Sequence, residues 1–405
     1  MVKAYLRYEQ VRTFGVIASP EASPVYADDA GKLLVTAALE RLSVWDIRRG
    51  LEVRSLDPPP RESGATPAIT RIARAPGSSL VASGAADGSV RLWNLEDGTS
   101  DVLLKGHRSE VTALRFNTSG ALLVSGGKDT NVVVWDVVAE AGLCRLRGHK
   151  DQVTDAVFVE RPGAEEGSGT ASAGARLVTC SKDATVRVWD LDTQHCAQTI
   201  AALGAECWSL DLDPRARRLA VGTNDDRLHL FAVTEGGDDD ADAKPVVHAD
   251  LFSGIKTQSM NAFDDPAACA TVAASIADAA SLLTPMGNIC RADRSRVASV
   301  RFDAAGTTLG VQTVGRAVEV YRVRTEAERA KRLKRRRKRK REKERVERID
   351  DVGGCEEGEG VLAADELHLA SVIRTKAKTR GFAFAPMARR RPGVRSVVAV
   401  LLDNN

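Results

Sequence analysis

Residues 106–136 read GHRSEVTALRFNTSGALLVSGGKDTNVVVWD, and the same order returns with GHKDQVTDAVF at 148–158 and RLVTCSKDATVRVWD at 176–190. Each copy runs Gly-His, an alternating apolar stretch, a turn, a second stretch carrying a hydroxyl residue, an Asp, and a third stretch ending in Trp-Asp. His107, Ser125, Asp129 and Trp135 stand in the first copy, and His149, Thr179, Asp183 and Trp189 in the second. In both, the Asp precedes the Trp by six residues and the hydroxyl precedes the Asp by four. Period-two alternation bounded by turn residues marks strands. A small repeated sheet has no core of its own and must bury both faces against its neighbours, which buries polar turn atoms that then need partners. An Asp in the turn accepts from turn N–H groups and from the imidazole, while the hydroxyl and the indole N–H complete the chain. These eight residues are therefore read as two structural tetrads, not as metal ligands or acid–base groups.

The pattern resembles the blade of a WD40 propeller, and weaker copies flank it. A first unit has strands near Phe14–Ser19, Leu33–Ala37, Leu42–Ile47 and Leu51–Leu56, with Trp45-Asp46 in place but Leu39 where the turn Asp belongs. A second keeps Ser83, Asp87 and Trp93, with Asn94 after the Trp and no Gly-His. A fifth has Asp225 six residues before Phe231, and a sixth has Tyr321 in the Trp position. With 253–295 and 324–360 set aside, the rest divides into seven units of about 46 residues, close to the ~40–45 of a blade. The expected fold is an all-β propeller over 1–405, seven-bladed with the last blade incomplete, plus an inserted basic helix.

Three stretches interrupt the repeats. Arg161–Ala175 is rich in Gly, Ala, Ser and Glu and reads as a surface loop. The Ala-rich insertion at 253–295 includes Asp264–Leu283, whose spacing and Asp-Pro start suggest a short helix. Thr325–Arg348 lacks Gly and Pro and consists of good helix formers, placing a basic helix at 324–350 between blades six and seven. Strands at His368–Thr375, Arg380–Ala385 and Arg395–Leu402 supply the outer strand of blade six and two strands of a seventh. The expectation is a piece of a longer protein, with strand donation by Tyr5–Gln10 as the competing way to close the ring.

Composition narrows the function class. Against 58 Lys and Arg stand 55 Asp and Glu, but the net charge of +3 hides acidic clusters at Glu235–Asp242 and Glu356–Glu359 and a basic one at Arg329–Arg345. The seven cysteines show no C-x-x-C pair and read as reduced thiols packed between strands. No run of 18 apolar residues suggests a membrane span. His195-Cys196 and Cys207-Trp208 belong to no ligand-spaced set, and phosphate-binding, nucleophile-elbow and dinucleotide motifs are absent. The sequence thus points to no catalytic residue, metal, cofactor or small-molecule substrate, and to a binding protein. Within the basic helix, Lys331, Arg332, Lys334, Arg335, Arg336, Arg337, Lys338, Arg339, Lys340 and Arg341 are candidates for phosphate contact or nuclear import. With no aromatic residue in Thr325–Arg348, contact falls on the RNA backbone rather than on stacked bases.

The chain also resembles one family among WD40 proteins, the tandem-propeller subunit of the UTP-B module of the small-subunit processome, associated with the U3 small nucleolar RNA. The resemblance is carried by VKAYLRYEQ and FGVIAS near the start, VTAALERLSVWDIRRG (35–50), GGKDTNVVVWDVVAEAGLCRLRGHKDQVTD (126–155), CSKDATVRVWDLDTQHC (180–196), GAECWSL (204–210) and the basic helix after YRVRTEAERAKR. It implies a non-catalytic scaffold of the nucleus and nucleolus, partnered by other WD40 subunits of that module and by U3 RNA or pre-rRNA, acting in early maturation of the small subunit. The family's second propeller and helical C-terminal domain have no counterpart in this chain. An alternative comes from Trp45-Asp46-Ile47-Arg48, which resembles the W-D-x-R motif of cullin-type ubiquitin ligase receptors and would make Arg48 an adaptor contact.

Overall fold

Alternation in the sequence becomes a series of antiparallel meanders in the computed structural model, which describes residues 18–19, 22–59, 66–100, 102–160, 175–201, 203–215, 217–234, 282–347, 363–386 and 398–402. The first sheet is β1 (Val25–Tyr26), β2 (Leu33–Ala38), β3 (Arg41–Asp46) and β4 (Leu51–Leu56). The second is β5 (Ile69–Arg74), β6 (Leu80–Ala85), β7 (Ser89–Asn94) and β8 (Val102–Lys105). The two strong sequence repeats form the third, β9 (Val111–Phe116), β10 (Leu122–Gly127), β11 (Val132–Asp136) and β12 (Ala141–Leu146), and the fourth, β13 (Val153–Val159), β14 (Arg176–Ser181), β15 (Val186–Asp190) and β16 (His195–Ile200). The fifth is β17 (Cys207–Leu212), β18 (Arg218–Thr223), β19 (Arg227–Val233) and β20 (Leu283–Cys290). The sixth is β21 (Val297–Phe302), β22 (Thr308–Thr313), β23 (Ala317–Val323) and β24 (Leu367–Arg374). A last pair, β25 (Thr379–Phe384) and β26 (Val398–Leu402), makes a two-stranded sheet.

The first strands of successive sheets pack on one another, from β1 and β5 through β9, β13, β17 and β21 to β25. The hydrophobic clusters lie between sheets rather than within them. Ala113, Val124 and Val134 of the third sheet meet Val153, Phe158, Leu177 and Trp189 of the fourth, for example. Close approach requires small residues at the seams. A Cβ on Gly126 would sit 2.7 Å from Val153 Cγ1, and one on Gly222 would sit 2.5 Å from Val297 Cγ1. The seam between the fourth and fifth sheets instead packs Cys180 and Cys207 in one cluster, both fully buried. A threonine on three first strands also reaches across to the next. Thr70 Oγ1 donates to Val111 O at 2.6 Å, Thr112 to Val153 O, and Thr154 to Cys207 O at 2.9 Å.

β25 closes the arrangement. Gln312 Nε2 of the sixth sheet donates to Thr379 O at 2.9 Å, and Phe382 and Phe384, edge to face at 5.6 Å, cover Gly310. On its other side Gly381 backs onto Ser23 and Pro24, immediately before β1.

Four sequence expectations change. The seven blades become six complete ones, because β25 and β26 pair only with each other and no further strand among the described residues joins them. The innermost strand of the first blade is Val25–Tyr26, not Phe14–Ser19; residues 1–17 lie outside the described residues, and Ser19 N donates to Ala37 O at 2.7 Å. The insertion expected at 253–295 contains a strand, β20, that completes the fifth blade, while 235–281, including most of the expected short helix, lies outside the described residues. Its sequence LTPMGNIC is only partly buried, as an outer edge should be, so it carries little apolar alternation. Finally, the basic helix, α1 (Glu326–Glu347), falls inside the sixth blade, between β23 and β24, rather than between two blades. Of the loop expected at Arg161–Ala175, residues 161–174 lie outside the described residues, as do the two acidic clusters. No helix among the described residues is long and apolar enough to cross a membrane.

Candidate nucleic-acid interface

The tetrads assemble as hydrogen-bonded chains. Trp135 Nε1 donates to Ser125 Oγ at 2.8 Å, Ser125 Oγ lies 2.8 Å from His107 Nε2, and His107 Nδ1 lies 3.0 Å from Asp129 Oδ1. In the fourth blade Trp189 Nε1 donates to Thr179 Oγ1 at 2.8 Å, Thr179 Oγ1 is 2.8 Å from His149 Nε2, and His149 Nδ1 is 3.0 Å from Asp183 Oδ2. Every group is satisfied when the imidazole is neutral with its proton on Nδ1, because the hydroxyl then donates to Nε2 while accepting from the indole. Burial, which outweighs the attraction of Asp183, lowers the His149 pKa and favours that neutral form. Burial opposes ionisation of Asp183, yet the Thr185 hydroxyl, the Lys150 N–H and His149 together bring its pKa to about 2. Asp129 is likewise lowered against the effect of burial by the Arg108 N–H and His107. With all polar atoms saturated, these side chains hold turns.

Where tetrad members are missing, the network is rebuilt or shortened. Trp93 Nε1 still donates to Ser83 Oγ at 2.7 Å, and Trp45 Nε1 to Thr36 Oγ1 at 2.9 Å. In the sixth blade Tyr321 donates to Glu319 Oε2 at 2.6 Å, Glu319 Oε1 accepts from Asp293 N at 2.6 Å, and Asp293 Oδ2 accepts from Thr313 Oγ1 at 2.8 Å. Asp293 stands four residues before the first strand, as His107 and His149 do, which is the one signal in the sequence for this substitute network.

The Asp after Trp45, Trp135 and Trp189 caps a turn. Asp46 Oδ1 accepts from Arg48 N at 2.7 Å and Arg49 N at 3.1 Å, and Asp136 and Asp190 do the same for the residues after them. Arg48, the W-D-x-R residue, thus sits exposed on an ordinary capped turn. Cys180 and Cys207 are buried, and burial raises both thiols, Cys207 to about 12, so neither is a thiolate at neutral pH. Among the described residues no group of three or more His, Cys, Asp or Glu is arranged to hold a metal.

A charged network among the first strands was not anticipated. Arg301 Nη1 meets Asp155 Oδ2 at 3.0 Å, and Arg115 Nη1 meets Asp211 Oδ1 at 2.5 Å. Asp155 also accepts from Ser209 Oγ at 2.8 Å, and Asp211 Oδ2 from Phe302 N at 2.5 Å. Burial works against the Asp155 carboxylate, but Arg301, Arg115 and Arg71 keep its pKa low. At the fifth blade, two cations lie against the Trp208 ring, Lys182 Nζ at 4.2 Å and Arg296 Cζ at 3.5 Å from its centroid. Both arrangements join residues far apart in sequence, which is why no local pattern announced them.

The basic helix is held against the propeller. Thr325 and Glu328 form a capping box, with Glu328 Oε2 accepting from Thr325 N at 3.2 Å and Thr325 Oγ1 accepting from Glu328 N at 3.4 Å. Its anchor is a one-turn helix, α2 (Ala363–Glu366), whose Asp365 and Glu366 are buried. Arg329 Nη1 meets Glu366 Oε1 at 2.6 Å, while Arg332 Nε and Arg336 Nη1 meet the two oxygens of Asp365 at 3.0 and 2.6 Å. Arg218 of the fifth blade holds Glu366 at 2.9 Å from the other side and Asp213 at 3.0 Å. Of the ten candidates, Arg332 and Arg336 are therefore engaged within the chain. Lys331, Lys334, Arg335, Lys338 and Arg339 are exposed, and the side chains of Arg337, Lys340 and Arg341 lie outside the described residues.

A ring of four-stranded antiparallel blades stitched by Trp–hydroxyl–His–Asp chains defines a WD40 β-propeller. Residues 32–233, about half of the chain, match the family described as the WDR3 first beta-propeller domain. The chain belongs to that family. It is 41% identical over 224 residues to U3 small nucleolar RNA-associated protein 12 of Saccharomyces cerevisiae, covering 52% of this chain and 22% of that protein. The WD repeat-containing protein 3 homolog of Dictyostelium discoideum is 35% identical over 111 residues, 27% of this chain and 11% of that protein. WD repeat-containing protein 3 of Homo sapiens is 30% identical over 98 residues, 24% of this chain and 10% of that protein. The chain thus spans no more than about a fifth of the length of these relatives.

Proposed function

We propose that this propeller serves as a non-catalytic scaffold in ribosome biogenesis, assembling with a U3 RNA-containing processome in early pre-18S rRNA processing, in the nucleolus. The observation that carries the reading is the 41% identity to a protein named for association with U3 small nucleolar RNA, over a stretch that spans more than half of the chain. The geometry is consistent with it: the polar side chains of the blade tetrads are spent on holding turns, which leaves surfaces and the docked basic helix as the means of action. Its partners in this reading are the other WD40 subunits of the UTP-B module, with U3 RNA or pre-rRNA at the helix. The adaptor reading through Arg48 draws no support from these relatives and rests on a single exposed turn residue.

The test is affinity purification of the tagged chain from nucleolar extract, with sequencing of bound RNA and identification of bound proteins, beside a variant in which Lys334, Arg335 and Arg337–Arg341 are changed to Gln while the clamped Arg336 is kept. Recovery of U3 RNA and UTP-B subunits supports the scaffold, and loss of RNA alone in the variant assigns phosphate contact to the helix. Recovery of a ligase adaptor in their place, lost on Arg48→Ala, would overturn it.

A further inference from the structure

We propose that docking divides α1 into two stripes of different purpose, and that the outward stripe of Lys331, Lys334, Arg335 and Lys338 is a track for the phosphodiester backbone of single-stranded RNA. This rests on the scaffold reading above and says which residues of the basic run meet the nucleic acid. Arg329, Arg332 and Arg336 follow i, i+3, i+7 spacing and so share one face. That is the face clamped by Asp365 and Glu366. Lys331, Lys334, Arg335 and Lys338 follow i, i+3, i+4, i+7 spacing, and at ~100° per residue their stripe lies on the opposite side of the helix. All four are exposed. Lys331, Lys334 and Arg335 face no acidic group among the described residues, whereas the acidic residues Glu326 and Glu328 of the first turn are turned to Arg217, Arg329 and Arg322.

Three physical points favour RNA as the occupant. From Lys331 to Lys338 the helix rises about 10 Å, the length over which a strand stacked at duplex spacing, ~3.4 Å per charge, presents about three phosphates and an unstacked strand fewer. The stripe offers cations without an apolar centre, and protein interfaces place aromatic and aliphatic anchors there. Leu333, the one aliphatic residue larger than alanine among Lys331–Arg339, is half-buried and lies toward the docked side. The clamp also settles an electrostatic difficulty. A free helix with this many like charges at i, i+4 repels itself, but with three arginines paired to two buried carboxylates the helix backbone that carries the outward cations is held in place, so the ordering cost on binding is confined to side chains.

The experiment is fluorescence anisotropy of an unstructured 20-nucleotide oligouridine with the full chain, titrated at salt from about 50 to 200 mM, where backbone contacts show as a log–log slope. The outward variant is K331Q/K334Q/R335Q. A control of equal charge loss, R41Q/R147Q/K376Q, takes exposed residues of the propeller, and far-ultraviolet circular dichroism confirms that each variant is folded. At ~0.7 per phosphate contact, losing three contacts lowers the slope by about 2 and weakens binding about 100-fold near 0.1 M salt, with the control changing affinity less than ~3-fold. If wild-type chain binds oligouridine and the outward variant matches the control, the track is elsewhere and this assignment falls while the scaffold reading stands. If wild-type chain ignores oligouridine but binds polyglutamate through Lys331, Lys334 and Arg335, an acidic protein is the occupant and the RNA assignment falls. Failure to recover U3 RNA in the purification described above would instead remove the scaffold reading itself.

Discussion

Replacing Thr179 with Val keeps the branch at Cβ and removes one oxygen, and the structure says what that oxygen does. Thr179 is fully buried, accepts from Trp189 Nε1 at 2.8 Å and reaches His149 Nε2 at 2.8 Å. Both ring nitrogens lose their partner where water has no access, since Trp189 is 2% and His149 6% exposed. A buried polar group left unsatisfied costs ~1–3 kcal/mol, so two cost about 2–6 kcal/mol, a large part of the ~5–15 kcal/mol that holds a protein folded. Ser83→Ala is the internal comparison, because Ser83 serves only the indole of Trp93 in a blade without the histidine and should cost about 1–3 kcal/mol. Thr179→Ser keeps the hydroxyl and loses a methyl, about 1 kcal/mol. Urea unfolding followed by circular dichroism reads these as midpoints. With an m-value near ~3 kcal/mol/M the Thr179→Val midpoint falls by roughly 0.7–2 M. A Thr179→Val shift no larger than that of Ser83→Ala would refute the view that one hydroxyl satisfies two buried groups.

Three further outcomes are expected. Melting temperature measured against pH should decline first as pH falls below about 6.5, because the unfolded chain takes up a proton that buried His149 resists. A second decline follows between pH 3.8 and about 2, where the unfolded chain protonates Asp183 before the folded one does; Asp129 and Asp155, also lowered, share that step, so Asp183→Asn should make it smaller. Gly126→Ala places a Cβ 2.7 Å from Val153 Cγ1 and 3.2 Å from Ala113 Cβ, and overpacking should cost ~1–3 kcal/mol; a double variant with Val153→Ala, compared with Val153→Ala alone by urea unfolding, should show a smaller cost. Asp155→Asn leaves the Arg301 guanidinium without its carboxylate partner at 3.0 Å, so a loss of ~3–5 kcal/mol is expected by the same assay, and a change below ~1 kcal/mol would show that Asp211 takes over the role.

The third and fourth blades were legible residue by residue, because His107, Ser125, Asp129 and Trp135 and their counterparts lie within one repeat and at constant spacing. The sixth blade was legible only as strands. Its Asp293–Glu319–Tyr321 chain does the same work with different residues, and a pattern defined by residue type misses it. The outer strand β20 escaped because an edge strand buries little and so has weak alternation. The basic run could be read as a helix with a role in binding. Its division into docked and outward faces could not, because the partners of Arg329, Arg332 and Arg336 arrive some 30 residues later on α2.

What the sequence determined by itself was the repeat unit: alternation places strands, and the recurring polar residues mark turns that must be satisfied when both faces of a blade are covered. What only the tertiary structure decided was everything made between units. The number of complete blades, the seating of β25 between Gly310 and Pro24, the Asp155–Arg301 and Asp211–Arg115 pairs, and the clamp of Asp365 and Glu366 on the basic helix all join residues distant along the chain. Local periodicity reports which face of a strand is buried; which neighbour buries it, and which charges meet there, depends on how the ring closes.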